Sequence, residues 1–248
     1  AIVGNGFHNV NNERYKKLLI TYGMPKMIGK IVINYTDGSS EIVVTDESWK
    51  SSPSPITYCG LYGGESYDAR LEQDGWNSVG FNDDLWSNVH ISKSPGGTLK
   101  PEKSYPIKVN EIFKPVQYYM LNTDSVTYDF GQNASGIVRI KVRGKKGQTV
   151  ILRPGELITE DKHIYQRFTG SPYYYEYTLK SDQDEVYQPM FTLYGLRYVQ
   201  VENAVPSGEA NEKDLPEIID VEFLHTYNSA PKTGSFSCSN ELFNAINK

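Results

Sequence analysis

Alternating apolar and polar positions run through most of the chain and predict β-strands. The alternation comes in short runs separated by Gly, Asn, Asp and Pro, which is the pattern of strands with one buried face. Residues 28–45 hold two β-branched runs on either side of Asp37 and Gly38, a dipeptide that closes tight hairpins. The pattern therefore predicts a hairpin over this segment.

Further strands are predicted in the second half of the chain. Residues 126–153 hold two alternating runs around GKKG and predict a second hairpin. The alternation returns at 173–180, 185–193 and 196–202. Pro189 lacks a backbone N–H, so its strand is expected at a sheet edge or a bulge.

A helix is predicted only in the last dozen residues. Leu242, Phe243 and Ile246 recur with helical spacing, and Ser239 is the expected N-cap. A stretch rich in Pro, Gly and Lys at 94–115 has the composition of an exposed linker or a crossing strand.

These elements predict an all-β fold of two antiparallel β-sandwich domains of the jelly-roll type. The first domain is assigned to 1–105 and the second to 106–232. Residues 233–248 are assigned to a connector and the start of a helix. The chain opens with AIVGNGF, which resembles the middle of a strand and its turn. We therefore expect a cut end there.

Composition excludes several classes of partner. The chain of 248 residues has a formal charge of -5 and a pI near 5.5, and it lacks the basic patches that nucleic-acid binding requires. No apolar run approaches the length of roughly 18 residues that a membrane helix needs. Neither nucleic acid nor a membrane is an expected partner.

Catalytic signatures are weak. No pair stands out among the 30 Asp and Glu residues, and nucleophile elbows, phosphate loops and zinc spacings are missing from the sequence. The four His residues are scattered, so no cofactor is expected. Cys59 and Cys238 lie far apart in sequence, and two free thiols are a simpler expectation than a disulfide.

The segment LYGGESYDARLEQDGW carries the main candidate site. In the favoured structural interpretation, Glu65 and Asp68 pair with Arg70 and hold a turn. In the functional interpretation, Glu65, Asp68 and Arg70 bind the hydroxyl groups of a carbohydrate, while Tyr67 or Trp76 stacks on the sugar face.

Two other segments have structural and functional interpretations. Asn82, Asp83 and Asp84 lie between two tryptophans, where they are expected to fix a turn; their oxygen atoms also leave calcium binding open. In YDFGQNASG, Gln132 and Asn133 are expected to satisfy loop backbone groups rather than to reach a ligand.

Seven segments, taken in their order along the chain, carry a resemblance to a known family. They are DGSSEIVVTDESWKSS at 37–52, YGGESYDARLEQDGW at 62–76, FNDDLW at 81–86, YDFGQNASGIVRIKVRGKKGQ at 128–148, PGEL at 154–157, FTLYGLRYVQVE at 191–202 and GSFSCSNELFNAI at 234–246. With them, the chain resembles the bacterial α-L-rhamnosidases of glycoside hydrolase family 78. Leu196 departs from the Phe that such enzymes often carry in a G-F-R-Y motif. We also expect the first domain to lack its opening strands, which would expose sheet edges.

The resemblance implies β-sandwich domains, the second of them concanavalin-like, followed by a helical (α/α)6 barrel that holds the catalytic acid and base of an inverting glycosidase. The chain is then an accessory region that packs on this barrel in an enzyme acting on rhamnose-containing glycosides or polysaccharides. A periplasmic or extracellular location is favoured on the same grounds. One alternative is a lectin-like module that binds L-rhamnose with or without calcium, and another is hydrolysis of rhamnosides by the chain itself.

Overall fold

The structure is a computed structural model that describes residues 1–10, 14, 19–94, 96–98, 100–168 and 172–246. Its regular elements are almost all strands, and one short helix lies near the C-terminus. The predicted all-β class is therefore confirmed. No helix in these ranges is long and apolar enough to cross a bilayer.

The first eight strands are short. They are β1 (Asn9–Val10), β2 (Ile20–Thr21), β3 (Lys30–Asn34), β4 (Ser40–Val44), β5 (Lys50–Ser51), β6 (Ile56–Gly60), β7 (Gly64–Asp68) and β8 (Ser87–Asn88). Three antiparallel pairs, β1 with β2, β3 with β4 and β5 with β8, form separate two-stranded sheets. β6 and β7 instead belong to the main sheet.

The predicted hairpin at 28–45 is confirmed as β3 and β4. Gly38 has a φ of +86°, a conformation that glycine adopts without steric cost. Asp37 accepts a hydrogen bond of 2.8 Å from the Ser39 backbone N–H, which closes the turn. Both faces of this hairpin are largely exposed, including Ile31 and Ile42.

The later strands are longer. They are β9 (Ile107–Phe113), β10 (Gln117–Asn122), β11 (Ser125–Arg143), β12 (Thr149–Gly155), β13 (Tyr174–Thr178), β14 (Asp184–Tyr187), β15 (Tyr194–Glu202), β16 (Val205–Pro206) and β17 (Glu217–Asn228). The terminal helix, α1, spans Glu241–Ile246. Together with β6 and β7, these nine strands form an eleven-stranded sheet.

The long strand β11 divides this sheet into two layers. Its first part, residues 125–129, lies between β10 and β15 in a first layer with the order β10-β11-β15-β12-β13-β7-β6. Its second part, residues 136–143, lies between β14 and β17 in a second layer that also includes β9 and β16. The pairing register of β11 with β15 shifts between Asp129 and Ala134, and Gly131 has a φ of +77° there.

The core lies between the two layers and confirms the alternation that predicted the strands. Val138, Ile140 and Val142 of β11 are buried and face Val199 and Val201 of β15 within one cluster. Leu196, the departure from the family pattern, is fully buried in the same cluster. Its apolar side chain fills this position without a polar group that would need a partner.

The prediction of a second hairpin at 126–153 is wrong in its pairing. β11 and β12 form as predicted, but the second part of β11 pairs with β14 and β17, whereas β12 pairs with β13 and β15. The turn between β11 and β12 therefore carries the chain from one layer to the other. β14 pairs with β11 alone in the described part of the chain, so it is an edge strand as predicted. It is shorter than the predicted run at 185–193, because it ends at Tyr187 and leaves Pro189 outside the strand.

The sheet crosses the predicted boundary near Tyr105. β7 runs parallel to β13, with Gly64 opposite Tyr174 and Asp68 opposite Thr178. Parallel pairing also joins β16 to β17, so the sheet is not antiparallel throughout. The division of the chain into two domains stays a prediction.

At the C-terminus, the helix forms where it was predicted, but its cap differs. Asn240 Oδ1 accepts hydrogen bonds from the backbone N–H groups of Leu242 at 3.0 Å and Phe243 at 3.4 Å. Ser239, the predicted cap, is therefore displaced by the next residue, because an Asn side chain reaches the same orphan amides. Cys59 and Cys238 are free thiols.

Candidate functional site

Glu65 is a buried structural carboxylate. Its side chain has no exposed surface and accepts hydrogen bonds from the Tyr187 hydroxyl at 3.1 Å and from the backbone N–H groups of Met190 at 3.0 Å and Phe191 at 3.2 Å. Burial raises the pKa of Glu65, against the effect of these hydrogen bonds. The predicted pairing with Arg70 is wrong, and a carboxylate without exposed surface cannot contact a sugar.

Asp68 and Arg70 hold the turn that the sequence predicted. Arg70 donates from Nε to Asp68 Oδ1 at 2.9 Å and from Nη2 to Oδ2 at 2.7 Å. Asp68 Oδ1 also accepts from the Arg70 backbone N–H at 3.1 Å and so caps the 3-10 turn Ala69–Leu71. The hydrogen bonds from Arg70 lower the pKa of Asp68, which keeps this carboxylate ionised.

The same pair lies at a polar pocket of about 320 Å³ on the outer face of the first layer. Ser66, Glu176 and Thr178 line the pocket with them. Period-two alternation explains this set, because Ser66 and Asp68 point outward from β7 while Glu65 and Tyr67 point inward.

Arg14, which the sequence analysis did not single out, contacts two residues that line the polar pocket, Ser66 and Glu176. Its guanidinium group lies 4.2 Å from the ring centroid of Tyr58 and 3.8 Å from that of Tyr174. It also lies 3.4 Å from a carboxylate oxygen of Glu176 and donates to Ser66. Nothing in the local sequence distinguishes this arginine, because its partners are at least 44 positions away in the chain.

Tyr67 lies at the boundary between core and surface. Its ring stacks on Tyr177, with centroids 5.9 Å apart, and its hydroxyl donates to Glu72 Oε1 at 2.9 Å. Burial and this hydrogen bond raise the pKa of Tyr67. The second carboxylate oxygen of Glu72 accepts from Lys180, so Glu72 links the tyrosine to the segment that follows β13.

Tyr67 and Trp76, the two aromatic residues of the predicted carbohydrate site, share one groove of about 670 Å³. Its lining residues come from several segments: Ala1, Ile2, Val3, Lys50, Ser51, Ser52, Pro53, Ser54, Pro55, Ile56, Tyr67, Glu72, Gln73, Asp74, Gly75, Trp76, Asn77, Trp86 and Met190. The side chain of Trp76 remains 37% exposed. Asp68 and Arg70 line only the polar pocket and Trp76 only the groove, whereas Tyr67 lines both cavities. The predicted site is therefore spread over two cavities that meet at Tyr67.

A hydrogen-bond chain fixes the floor of the groove. Trp86 Nε1 donates to Gln73 Oε1 at 2.7 Å, and Gln73 Nε2 donates to Ser52 Oγ at 2.8 Å. The sequence analysis missed Glu72, Gln73 and Asp74 as groove residues. They lie between Arg70 and Trp76, within the segment that carries the predicted site, and this position was the available signal.

The segment around Asn82 forms the turn that was predicted. Asn82 Oδ1 accepts from the Asp84 backbone N–H at 2.9 Å, and Lys50 Nζ lies 2.8 Å from Asp83 Oδ1. Among the residues that the structure describes, no group of three or more His, Cys, Asp or Glu side chains is placed to hold a metal ion. Calcium binding by this segment is not tested by these contacts and stays a prediction.

The segment YDFGQNASG is used within the fold, although Asn133 binds a carboxylate side chain rather than the loop backbone groups that were expected. Asp129 is buried and forms two bonds with Arg197, at 2.8 Å to Nε and 2.9 Å to Nη2, and it accepts from the Gly131 N–H at 2.7 Å. Although burial opposes ionisation, these donors lower the pKa of Asp129. Asn133 donates to Glu156 Oε1 at 3.0 Å, so its amide is used within the fold.

Comparisons with known families give consistent matches along the chain. Residues 1–111 match the family model described as the alpha-L-rhamnosidase N-terminal domain, and residues 120–221 match the bacterial alpha-L-rhamnosidase concanavalin-like domain. An alpha-L-rhamnosidase of Formosa agariphila is 29% identical over 255 residues, which cover 99% of this chain and 26% of that protein. One from Streptomyces avermitilis is 32% identical, over 90% of this chain and 21% of that protein.

Solved structures of alpha-L-rhamnosidases also resemble this chain. The alpha-L-rhamnosidase from Dictyoglumus thermophilum superposes with a TM-score of 0.81 and 36% identity, over 91% of this chain and 25% of that one. The Streptomyces avermitilis alpha-L-rhamnosidase complexed with L-rhamnose gives a TM-score of 0.84 and 29% identity, over 97% of this chain and 23% of that one. The chain thus spans about a quarter of the length of the relatives that it matches.

Proposed function

The chain belongs to the bacterial α-L-rhamnosidases, and we propose that it serves such an enzyme as an accessory region without catalytic groups. The observation that carries this proposal is the paired match to the N-terminal and concanavalin-like domains over about a quarter of the relatives' length. In this proposal the whole enzyme hydrolyses terminal α-L-rhamnosides by inversion. The acid and base belong to a helical domain outside these 248 residues, and the chain packs on that domain.

The use of the carboxylates near the two cavities supports this proposal. An inverting glycosidase needs an acid with a raised pKa and a carboxylate base facing it across the sugar. Asp68 is bound to Arg70 and has a lowered pKa, while Glu72 is bound to Tyr67 and Lys180. These groups hold the fold together.

An activity assay tests the accessory role. The purified chain is incubated with an aryl α-L-rhamnoside beside a full-length relative as the positive control. We expect release of the aryl group by the relative and none above the buffer rate by the chain. Turnover that co-purifies with the chain and is lost in the Glu72→Gln variant would contradict the proposal and establish the chain as a hydrolase.

The groove supports a second candidate function, a lectin-like module that binds L-rhamnose. It brings Tyr67 and Trp76 together with carboxylates, and its volume of about 670 Å³ lies within the usual range for small-molecule sites. An aromatic ring suits the apolar face of a sugar, while Asp74 and Asn77 on the rim are exposed and suit its hydroxyl groups. This candidate function includes binding with calcium and binding without it.

Calorimetry with L-rhamnose, with added calcium and with chelator, tests this second function. If the groove binds the sugar, Trp76→Ala removes the binding heat. Trp49→Ala is the matched control, because Trp49 does not line the groove and donates to the Val44 carbonyl. An absence of heat at millimolar sugar in the unaltered chain under both conditions would rule the module out.

A further inference from the structure

We infer that residues 56–71, hereafter the donor ribbon, are an obligate part of the concanavalin-like fold although the family match assigns them to the N-terminal domain. The donor ribbon comprises β6, β7 and the 3-10 turn. It adds two strands to the first layer through five residue pairs between β7 and β13. The two matched domains are then one folding unit.

The backbone of the donor ribbon fits β13 closely. Gly64 faces Tyr174 in the register and has a φ of +89°. A Cβ at Gly64 would collide with the carbonyl oxygen of Tyr174. Close approach and positive φ both require glycine at this position.

The side chains of the donor ribbon complete the core of the second matched domain. Ala69 is 1% exposed and belongs to the main hydrophobic cluster, and Tyr67 packs against the same cluster. The Tyr67 ring stacks on Tyr177 and lies 5.8 Å, between centroids, from that of Tyr187. Without the donor ribbon, Tyr177 and Tyr187 would keep their contact with each other but lose the Tyr67 ring and expose apolar surface.

The Glu65 carboxylate satisfies donors that belong to the second matched domain. Its partners are the Tyr187 hydroxyl and the backbone N–H groups of Met190 and Phe191. Removing the donor ribbon would take the acceptor away from all three donors, of which the Tyr187 hydroxyl is buried, and an unsatisfied buried donor destabilises a fold. It would also leave the β13 edge open to pairing with other chains.

Arg14 fastens the donor ribbon to β13 from the outside. Its Nη1 atom donates to the carbonyl oxygen of Gly63, in the turn between β6 and β7, at 3.2 Å and to that of Tyr174 at 2.9 Å. Its guanidinium group lies between the rings of Tyr58 and Tyr174, one from each element. A residue of the N-terminal match therefore bridges the junction.

The first test is Gly64→Ala in the whole chain, with hydrogen exchange as the readout. Gly38→Ala is the matched control, since Gly38 has a φ of +86° and no atom within 4 Å of the added Cβ. We expect exchange in β12, β13 and β14 to rise by about tenfold or more in Gly64→Ala and to stay unchanged in Gly38→Ala. Unchanged exchange in these strands in both variants would overturn the inference.

The second test does not depend on how a variant folds. Limited trypsin treatment of the unaltered chain can cut after Lys93 and Lys103, which are exposed and lie between β8 and β9. We expect the two fragments to co-elute in size-exclusion chromatography and to separate only in denaturant. Separation in native buffer, with the β-sheet spectrum of the C-terminal fragment retained, would show that the second domain folds without the donor ribbon.

Discussion

Glu65 and Asp68 are two acidic residues three positions apart with opposite roles. Asp68 faces outward and is held by Arg70, whereas Glu65 faces inward and has no exposed surface. Strand alternation explains this difference, because Glu65 shares its face with Tyr67, which packs against the core, although the sequence analysis assigned both carboxylates to Arg70. The partners of Glu65 could not be predicted, since Tyr187 and Phe191 lie more than 120 positions away in the chain.

Replacing Glu65 tests its structural role. Glu65→Ala removes the acceptor of three hydrogen bonds and leaves a small cavity, so we expect the free energy of unfolding to fall by about 2–4 kcal/mol. Urea denaturation measures the change. Glu47→Ala, at an exposed position before β5, is the control and should change stability by less than about 0.5 kcal/mol. Equal effects of the two substitutions would show that the three hydrogen bonds contribute nothing.

At the scale of elements, alternation predicted where strands form but not which strands pair. β11 and β12 are adjacent in sequence and were predicted to form a hairpin, yet each finds its partners in a different layer. The parallel pairing of β7 with β13 joins segments about 110 residues apart. Such pairings depend on the packing of the whole core, which a local pattern does not encode.

The β3–β4 hairpin and the strand β11 should respond differently to the same substitution. Ile42 on the hairpin is 55% exposed, whereas Ile140 on β11 is fully buried. We expect Ile42→Thr to change the free energy of unfolding by less than about 0.5 kcal/mol. Ile140→Thr buries a hydroxyl group and loses a methylene group, so it should cost about 2–4 kcal/mol. Equal losses would mean that the hairpin face is covered in solution.

At the scale of the whole molecule, tyrosines supply much of the core that a low aliphatic content leaves unfilled. Of the 19 tyrosines in the chain, Tyr173, Tyr175, Tyr177 and Tyr187 are buried together in one cluster. Their hydroxyl groups find partners inside the core, as between Tyr177 and Glu185 at 2.7 Å. The contacts between these tyrosines follow from the fold, because they lie on different strands and in the loops that join them.

These buried tyrosines predict alkaline unfolding. Burial raises the pKa of Tyr173 to about 12 and raises the pKa values of Tyr175 and Tyr187 well above 10.0. Their folded pKa values exceed the unfolded value, so their contribution to stability is fully present below pH 10.0 and is lost as the pH rises through the folded values. We expect cooperative unfolding in this range, with tyrosinate absorbance and loss of β-sheet signal rising together. Tyrosinate formation that is complete before any loss of β-sheet signal would contradict this.

The register shift of β11 between Asp129 and Ala134 determines where the chain can accept inserted residues. Because one strand runs through both layers, a single-residue insertion within residues 136–143 would turn its buried side chains outward, and the same insertion within 125–129 would do so in the other layer. Between Asp129 and Ala134 the ladder already skips positions, and Gln132 and Asn133 are exposed. Insertions and engineered tags are therefore best accommodated between Asp129 and Ala134. An added residue there leaves the buried and exposed faces of both parts of β11 unchanged.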